Sequence, residues 1–370
     1  MGLTLRALFL TASATRVFAS CAHGTFLSPR AEGETVEVKT FGYSGNIVRF
    51  YRLVPRELVA ANMGMQGPLN WAALDTPANS VCATGTSQSP IDMVNGVFTV
   101  IQGTDVQITV NDMPDGAEFE NLGTTVEVIT QGGTLVVGEK TFELQQFHFH
   151  LPSEHLDNGT SQASTLNPHR NNMPLGPDTN PTPVEMHMVW QSAAQEIAVI
   201  GVYINIADAV AAAAPAAARR DNVVRNRFNR RQEATPPPPA TAAGPTTLLE
   251  TIFSVVDQIA VPGTKVKTPP LVMSEVVDIL KANSFQIYAG SLTTPPCSEG
   301  VSWHVSTARL AVQPTTFTKA RDVIGFNSRF PQNTPGQPNI LMLSALGSAA
   351  AAVMGMAGAA PAAVVAAPEA

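Results

Sequence analysis

The sequence predicts a mostly β protein with a few short helices, on three observations. Between Phe98 and Leu151, short β-branched runs recur between glycines and other turn residues: VFTVIQ, VQITVN, TTVEVIT, TLVVGEK and TFELQQFHFHL. Runs of this length and spacing are the pattern of strands in an antiparallel meander. A second set follows at VEMHMVWQ and EIAVIGVYINI, and a third at FQIYAGSLTT and VSWHVST. Helical periodicity is scarce by comparison, with LLETIFSVVDQI and MSEVVDILKAN the best candidates.

Composition sets the limits on partners. The 370 residues are 44% hydrophobic and 14% charged, with a net charge of −7, which is enough apolar matter for a large core. Basic residues are scattered or confined to one low-complexity segment. The basic stripe of a nucleic-acid binder is missing, so nucleic acid is excluded as a partner.

The two ends differ from the middle. Residues 1–22 carry an early Arg6, a short apolar run and small residues around Ser20 to Ala22, the pattern of a secretory signal peptide. Its removal would take Cys21 away and leave Cys82 and Cys297 as an even pair. In an exported protein such cysteines usually pair; two separate buried thiols are the alternative. Asn158 in DNGT is an acceptor for an N-linked glycan.

A single domain is expected over residues 23–340. It is interrupted by an Ala-, Pro- and Arg-rich insertion at about 207–247 and by a turn-rich segment that contains His169. The tail, residues 341–370, is apolar and alanine-rich and carries no charge until Glu369. Two readings stay open for it: the signal for a C-terminal glycolipid anchor, or a loosely packed end. The expected location is secreted or extracellular, at the cell surface if the anchor reading holds.

The strand QFHFHL raises the functional question. Alternate residues of a strand share a face, so Gln146, His148 and His150 point one way while Phe147, Phe149 and Leu151 point to a core. Two imidazoles at i and i+2 converge on one ion if a neighbouring strand supplies a third ligand, and His187 in VEMHMVW is the candidate. Taken alone, an H-x-H pair is a weak signal that hydrogen-bonded structural histidines explain more often than a metal does. Gln146 and Glu185 strengthen the metal reading. Each sits two residues before a candidate ligand, where its oxygen would accept the second imidazole N–H. Three neutral nitrogens without a cysteine favour Zn2+ with one open position.

QSPID, QFHFHLPSEH, VEMHMVW and GSLTTPPCSEGVSW, in this order, resemble the α-class carbonic anhydrases from about Tyr43 to Arg329. The resemblance implies that family's large, twisted, mainly antiparallel central sheet. It implies reversible hydration of carbon dioxide to bicarbonate and a proton by zinc-bound hydroxide, with carbon dioxide, bicarbonate and water as the partners. His148, His150 and His187 match the zinc ligands, and Gln146 and Glu185 the residues supporting them. Thr293 matches the threonine that accepts from the hydroxide, and Glu154 the carboxylate that takes the threonine's proton. Val189, Val199, Leu292, Thr294 and Trp303 match the substrate pocket. Cys82 and Cys297 fall where exported members place a disulfide, and His155 matches a buried structural histidine.

One position departs from the pattern. Thr124 stands where fast members carry a histidine proton shuttle, and a hydroxyl does not ionise near neutral pH. Glu127 is a poor substitute at an ordinary carboxylate pKa of about 4. Turnover is therefore expected to depend on external buffer. The alternative function is a catalytically weak or inactive carbonic-anhydrase-like surface binding protein, which the intact ligand set disfavours. The oligomeric state is left open.

Overall fold

The computed structural model describes residues 35–36, 38–43, 66–130, 132–159, 184–207 and 244–343. The expected signal peptide, nearly all of the 207–247 insertion, the segment with His169 and most of the apolar tail lie outside the described residues.

Thirteen strands run in chain order: β1 Asp92–Met93, β2 Thr99–Gln102, β3 Gln107–Thr109, β4 Glu118–Asn121, β5 Val126–Ile129, β6 Thr134–Val137, β7 Lys140–His150, β8 Leu156–Asp157, β9 Val184–Ser192, β10 Ile197–Ile206, β11 Lys265–Lys267, β12 Ser284–Ser291 and β13 Glu299–Val312. Eleven of them form one sheet whose main path is β11-β4-β5-β7-β9-β10-β13-β12-β2, with β3 and β6 branching from β7. Antiparallel pairing dominates, as expected. The sheet is nevertheless mixed, because β10 and β13 run parallel. Two short helices, α1 (Trp71–Leu74) and α2 (Val81–Thr84), precede the sheet; parallel neighbours need a long crossover, and the chain between β10 and β13 includes helices α3 (Thr247–Phe253) and α4 (Ser274–Lys281).

The expected single meander from Phe98 to Leu151 is corrected at its first strand. β2 leaves the others and pairs with β12 at the opposite edge, Phe285 facing Ile101. Residue pattern identifies a strand but not its partner. At the end of β2 the Gly103 N–H donates to Asn283 O, and a side chain at 103 would overlap the carbonyls ending α4, so glycine permits this close approach beside β12.

The period-two reading of β7 holds. Phe147 and Phe149 enter the larger core with Val128, Met186, Met188 and Trp190, and Phe149 meets Phe253 of α3 at 4.7 Å. The opposite face carries the histidines and a smaller apolar cluster around Val189, Val199 and Trp303. β9 is buried on both faces along its whole length, which places His187 and Glu185 away from bulk water.

LLETIFSVVDQI is not one helix. α3 stops at Phe253, where the Ser254 hydroxyl donates to Thr251 O, and a 3-10 turn follows at Val256–Ile259. A further helix, α5 (Pro314–Ile324), was not among the expected helices. Its buried stripe is thin, only Phe317, Ala320 and Ile324, in a threonine-rich stretch. Pro314 at its first turn and Gly325 at φ 69° just beyond it are the start and stop that define it.

His304 on β13 is buried beside Phe285. Burial pushes its pKa down, offset only in part by contact with the Ser302 backbone. The folded state thus keeps the imidazole neutral, while the unfolded chain takes up a proton below about pH 6.5. Stability from this site is fully present above that pH and is lost as pH falls towards the lower folded pKa. His304→Leu is therefore expected to gain on the wild type in melting temperature between pH 7.5 and pH 5.5. A constant difference between the two proteins across that range would contradict the expectation.

Candidate metal centre

The long strands β7 and β9 bring the three candidate histidines together. His148 and His187 are direct cross-strand partners, and His150 faces Glu185 in the same ladder. All three are buried, and their ligating nitrogens lie within 4.8 Å of one another. Ring centroids are 5.1 Å apart for His148 and His150, 5.4 Å for His148 and His187, and 4.5 Å for His150 and His187.

Each ring turns one nitrogen towards an acceptor on the protein. His148 Nδ1 is 2.8 Å from Gln146 Oε1, and His150 Nδ1 is 2.9 Å from the backbone carbonyl of Asn327. His187 Nε2 lies 3.1 Å from Glu185 Oε1, off the line of a full hydrogen bond. An acceptor facing one nitrogen makes that nitrogen the N–H and turns the other into the lone-pair donor. By this logic Nε2 of His148, Nε2 of His150 and Nδ1 of His187 are the nitrogens that would face a metal.

Glu185 is the anchor of the cluster. Its Oε2 accepts the backbone N–H groups of Glu154 at 2.8 Å and His155 at 2.9 Å, and its Oε1 is 2.7 Å from His155 Nδ1. Burial alone would raise its pKa, but His155, His187 and the hydrogen bonds outweigh burial and hold it well below the usual carboxylate range. Burial lowers the His187 pKa more than Glu185 raises it, so the imidazole is favoured as the neutral form a metal needs. His155, expected as a buried structural residue, is buried but also connects: its Nε2 is 2.7 Å from Tyr288 Oη, which lies 2.8 Å from Ser89 Oγ. His155, Glu185 and His187 lie together because both imidazoles face the same carboxylate oxygen, Glu185 Oε1.

Glu154 and Thr293 are also brought to this face. Glu154 Oε1 accepts the Arg329 backbone N–H at 2.8 Å, and Oε2 lies 3.4 Å from His150 Nε2. Burial holds the Glu154 pKa well above the usual carboxylate range, and the Arg329 backbone N–H and the nearby Thr293 hydroxyl offset this only in part. The Arg329 guanidinium donates to Ser89 O, Cys82 O and Gln88 Oε1 and lies over Trp71. Burial lowers its pKa only to about 10, so it remains a cation at neutral pH. The Cys82–Cys297 disulfide is formed, and Gln88 Nε2 donates to Cys297 O at 3.0 Å. One buried network thus ties the turn after Thr293 to the N-terminal segment and to Glu154.

Val189, Val199, Leu292 and Trp303 fall in one buried apolar cluster beside His187, whose ring centroid is 4.9 Å from that of Trp303. Thr294 is buried next to Thr293 in sequence. Thr124 is buried, and Glu127 sits directly across from His148 on β5. Asn158 is exposed in a turn, with its Oδ1 accepting Asn95 N–H.

Zinc fits this donor set. Three neutral imidazoles without a thiolate are a zinc-type ligand group with room for a further ligand. Beside the histidines, Thr293 Oγ1 and Glu154 Oε2 are buried without a full hydrogen bond among the described residues. Buried polar atoms are nearly always satisfied, and a group bound at the histidines would satisfy these.

Sequence reasoning missed Asn327, Arg329 and Tyr288. The GFNSRF segment has no strand or helix period, and its contacts with His150 and Glu154 span more than 170 positions. The only available signal was that the family resemblance runs as far as Arg329.

Comparison with known proteins gives the same picture. Residues 240–335 match the model of the eukaryotic-type carbonic anhydrase family. Alpha carbonic anhydrase 6 of Arabidopsis thaliana is 28% identical over 243 residues, 65% of this chain and 69% of that protein. A carbonic anhydrase of Nostoc sp. is 28% identical over 279 residues, 75% of this chain and 81% of its own. The solved fungal alpha carbonic anhydrase from Aspergillus oryzae is similar in structure, with a TM-score of 0.58 and 30% identity over 76% of this chain and 95% of that one.

Proposed function

The chain belongs to the α-class carbonic anhydrases and is a carbonic anhydrase enzyme, and on that premise we propose that it hydrates carbon dioxide with zinc held by His148, His150 and His187. The observation that carries the zinc reading is the convergence of three buried imidazoles, each with its other nitrogen facing an acceptor. When bound, zinc would acidify water and supply hydroxide near neutral pH, an effect for which carbonic anhydrase is itself the standard example.

The chain's own residues supply the rest. Gln146, Glu185 and the Asn327 carbonyl fix the three ring tautomers. Val189, Val199, Leu292 and Trp303 offer carbon dioxide an apolar wall from which water is excluded. A cation bound at the histidines would favour the ionised form of Glu154 against burial, and Thr293 would then give its O–H to that carboxylate, leaving its oxygen to accept from the attacking hydroxide and turn a lone pair towards carbon dioxide. The products are bicarbonate and a proton, and the proton must reach solvent. Thr124 offers it no ionisable carrier, and the described histidines outside the triad, His155 and His304, are both buried. The disulfide supports an oxidising, extracellular compartment, and the exposed Asn158 supports a glycan there.

Stopped-flow hydration on the zinc-loaded full chain tests the proposal. Activity is expected to vanish with a chelator and return with zinc. Turnover should climb and saturate with imidazole buffer while kcat/KM stays constant. Hydration that persists in the metal-stripped protein would overturn the zinc reading, and buffer-independent turnover would overturn the reading of Thr124.

A further inference from the structure

Gly201 and Gly290 lie in strands without the positive φ that would call for glycine. Gly201 sits on β10 directly opposite His187. A methyl group there would stand 2.9 Å from Glu185 Oε1, closer than real side-chain carbons approach, whereas Trp303 Cζ3 at 3.7 Å and His187 Cδ2 at 3.8 Å are ordinary contacts. The carboxylate is thus the one obstacle. A surface glutamate would swing aside at little cost, but this one is held by two backbone N–H groups and the His155 ring, within reach of His187 as well. Gly290 stands at the other end of the same chain, where a Cβ would overlap Ser89 Oγ, the Tyr288 ring and Trp303.

We propose that Gly201 is a positioning residue, whose missing side chain leaves the space in which Glu185 reaches His187 and so sets how that ring presents its metal-facing nitrogen. Any side chain at 201 pushes the carboxylate from both imidazoles. The effect then passes to the Glu154 backbone through Oε2. Gly290 protects the distal link, Tyr288 to Ser89, by the same means. The inference rests on His187 being a zinc ligand.

The test is a double-mutant cycle of Gly201→Ala and Glu185→Ala with three readouts: zinc affinity by chelator competition, the visible spectrum of the cobalt-substituted protein, and thermal unfolding of the zinc-free protein. Gly201→Ala alone is expected to weaken zinc binding by about 10- to 100-fold, the usual effect of disturbing a ligand's support. It should also shift the cobalt bands and lower the zinc-free melting temperature. In the Glu185→Ala background the same methyl group meets only ordinary contacts, so all three readouts should stay where Glu185→Ala alone leaves them. Equal losses in both backgrounds, or no loss in either, would overturn the proposal. Should the Gly201→Ala protein fail to fold, a folded double variant supports the same coupling and an unfolded one overturns it. A wild-type chain that holds no zinc would refute the zinc reading instead, while the zinc-free unfolding cycle still decides whether Gly201 acts through Glu185.

Discussion

His187→Ala is expected to weaken zinc binding by about three orders of magnitude and to remove hydration activity at ordinary zinc concentrations. The size follows from sharing: a protein zinc site is worth on the order of 12 kcal/mol, so one of three imidazoles accounts for roughly 4 kcal/mol, or about 10³-fold. Position argues for no compensation. His187 is buried on the central strand β9, and Glu185, the nearest carboxylate, is tied to two backbone N–H groups and His155 and does not turn to replace it. The fold should survive, because the side chain removed lies outside the larger core that joins the sheet to α3. Zinc per protein by elemental analysis after dialysis against a mild chelator is the decisive measurement. Wild-type zinc content in the variant would take His187 out of the ligand set.

What the sequence made legible here was local. His148 and His150 were readable because a strand repeats every two residues and Phe147 and Phe149 mark the opposite face. Glu185 was readable by the same spacing from His187. The pairing of β2 with β12, the end of α3 at Ser254 and the existence of α5 were not, because each depends on contacts between distant segments. The same division runs through the site. The imidazoles announce themselves, but the carbonyl that orients His150 belongs to Asn327, and a backbone carbonyl has no sequence signature at all. Glu154 has a role only through the family motif around it, since nothing in its local pattern announces that it is buried and capped by Arg329 N–H. Gly201 is the extreme case, since its contribution is an absence of atoms visible only when Glu185 is placed beside it.

Thr293→Val is expected to lower kcat/KM about 100-fold while leaving zinc affinity close to the wild-type value. Valine keeps the shape of threonine, so the buried turn held by the disulfide and by Cys297 N–H to Thr294 O should stay in place. What is lost is one preorganised hydrogen bond at the reacting centre, an interaction worth about 10²- to 10³-fold when it is made chiefly in the transition state. Glu154→Gln separates orientation from mere polarity. Its amide keeps an oxygen for the Arg329 backbone N–H but turns an N–H towards Thr293, which must then accept. The Thr293 proton is left pointing at the attacking hydroxide, and a loss of similar size is expected despite an intact hydroxyl. Thr293→Ser, which preserves the donor, should retain most of the rate. If Glu154→Gln matched the wild type in kcat/KM while Thr293→Val fell, the carboxylate would not be the partner that sets the direction of the threonine proton, and the orienting role would belong to Thr293 alone.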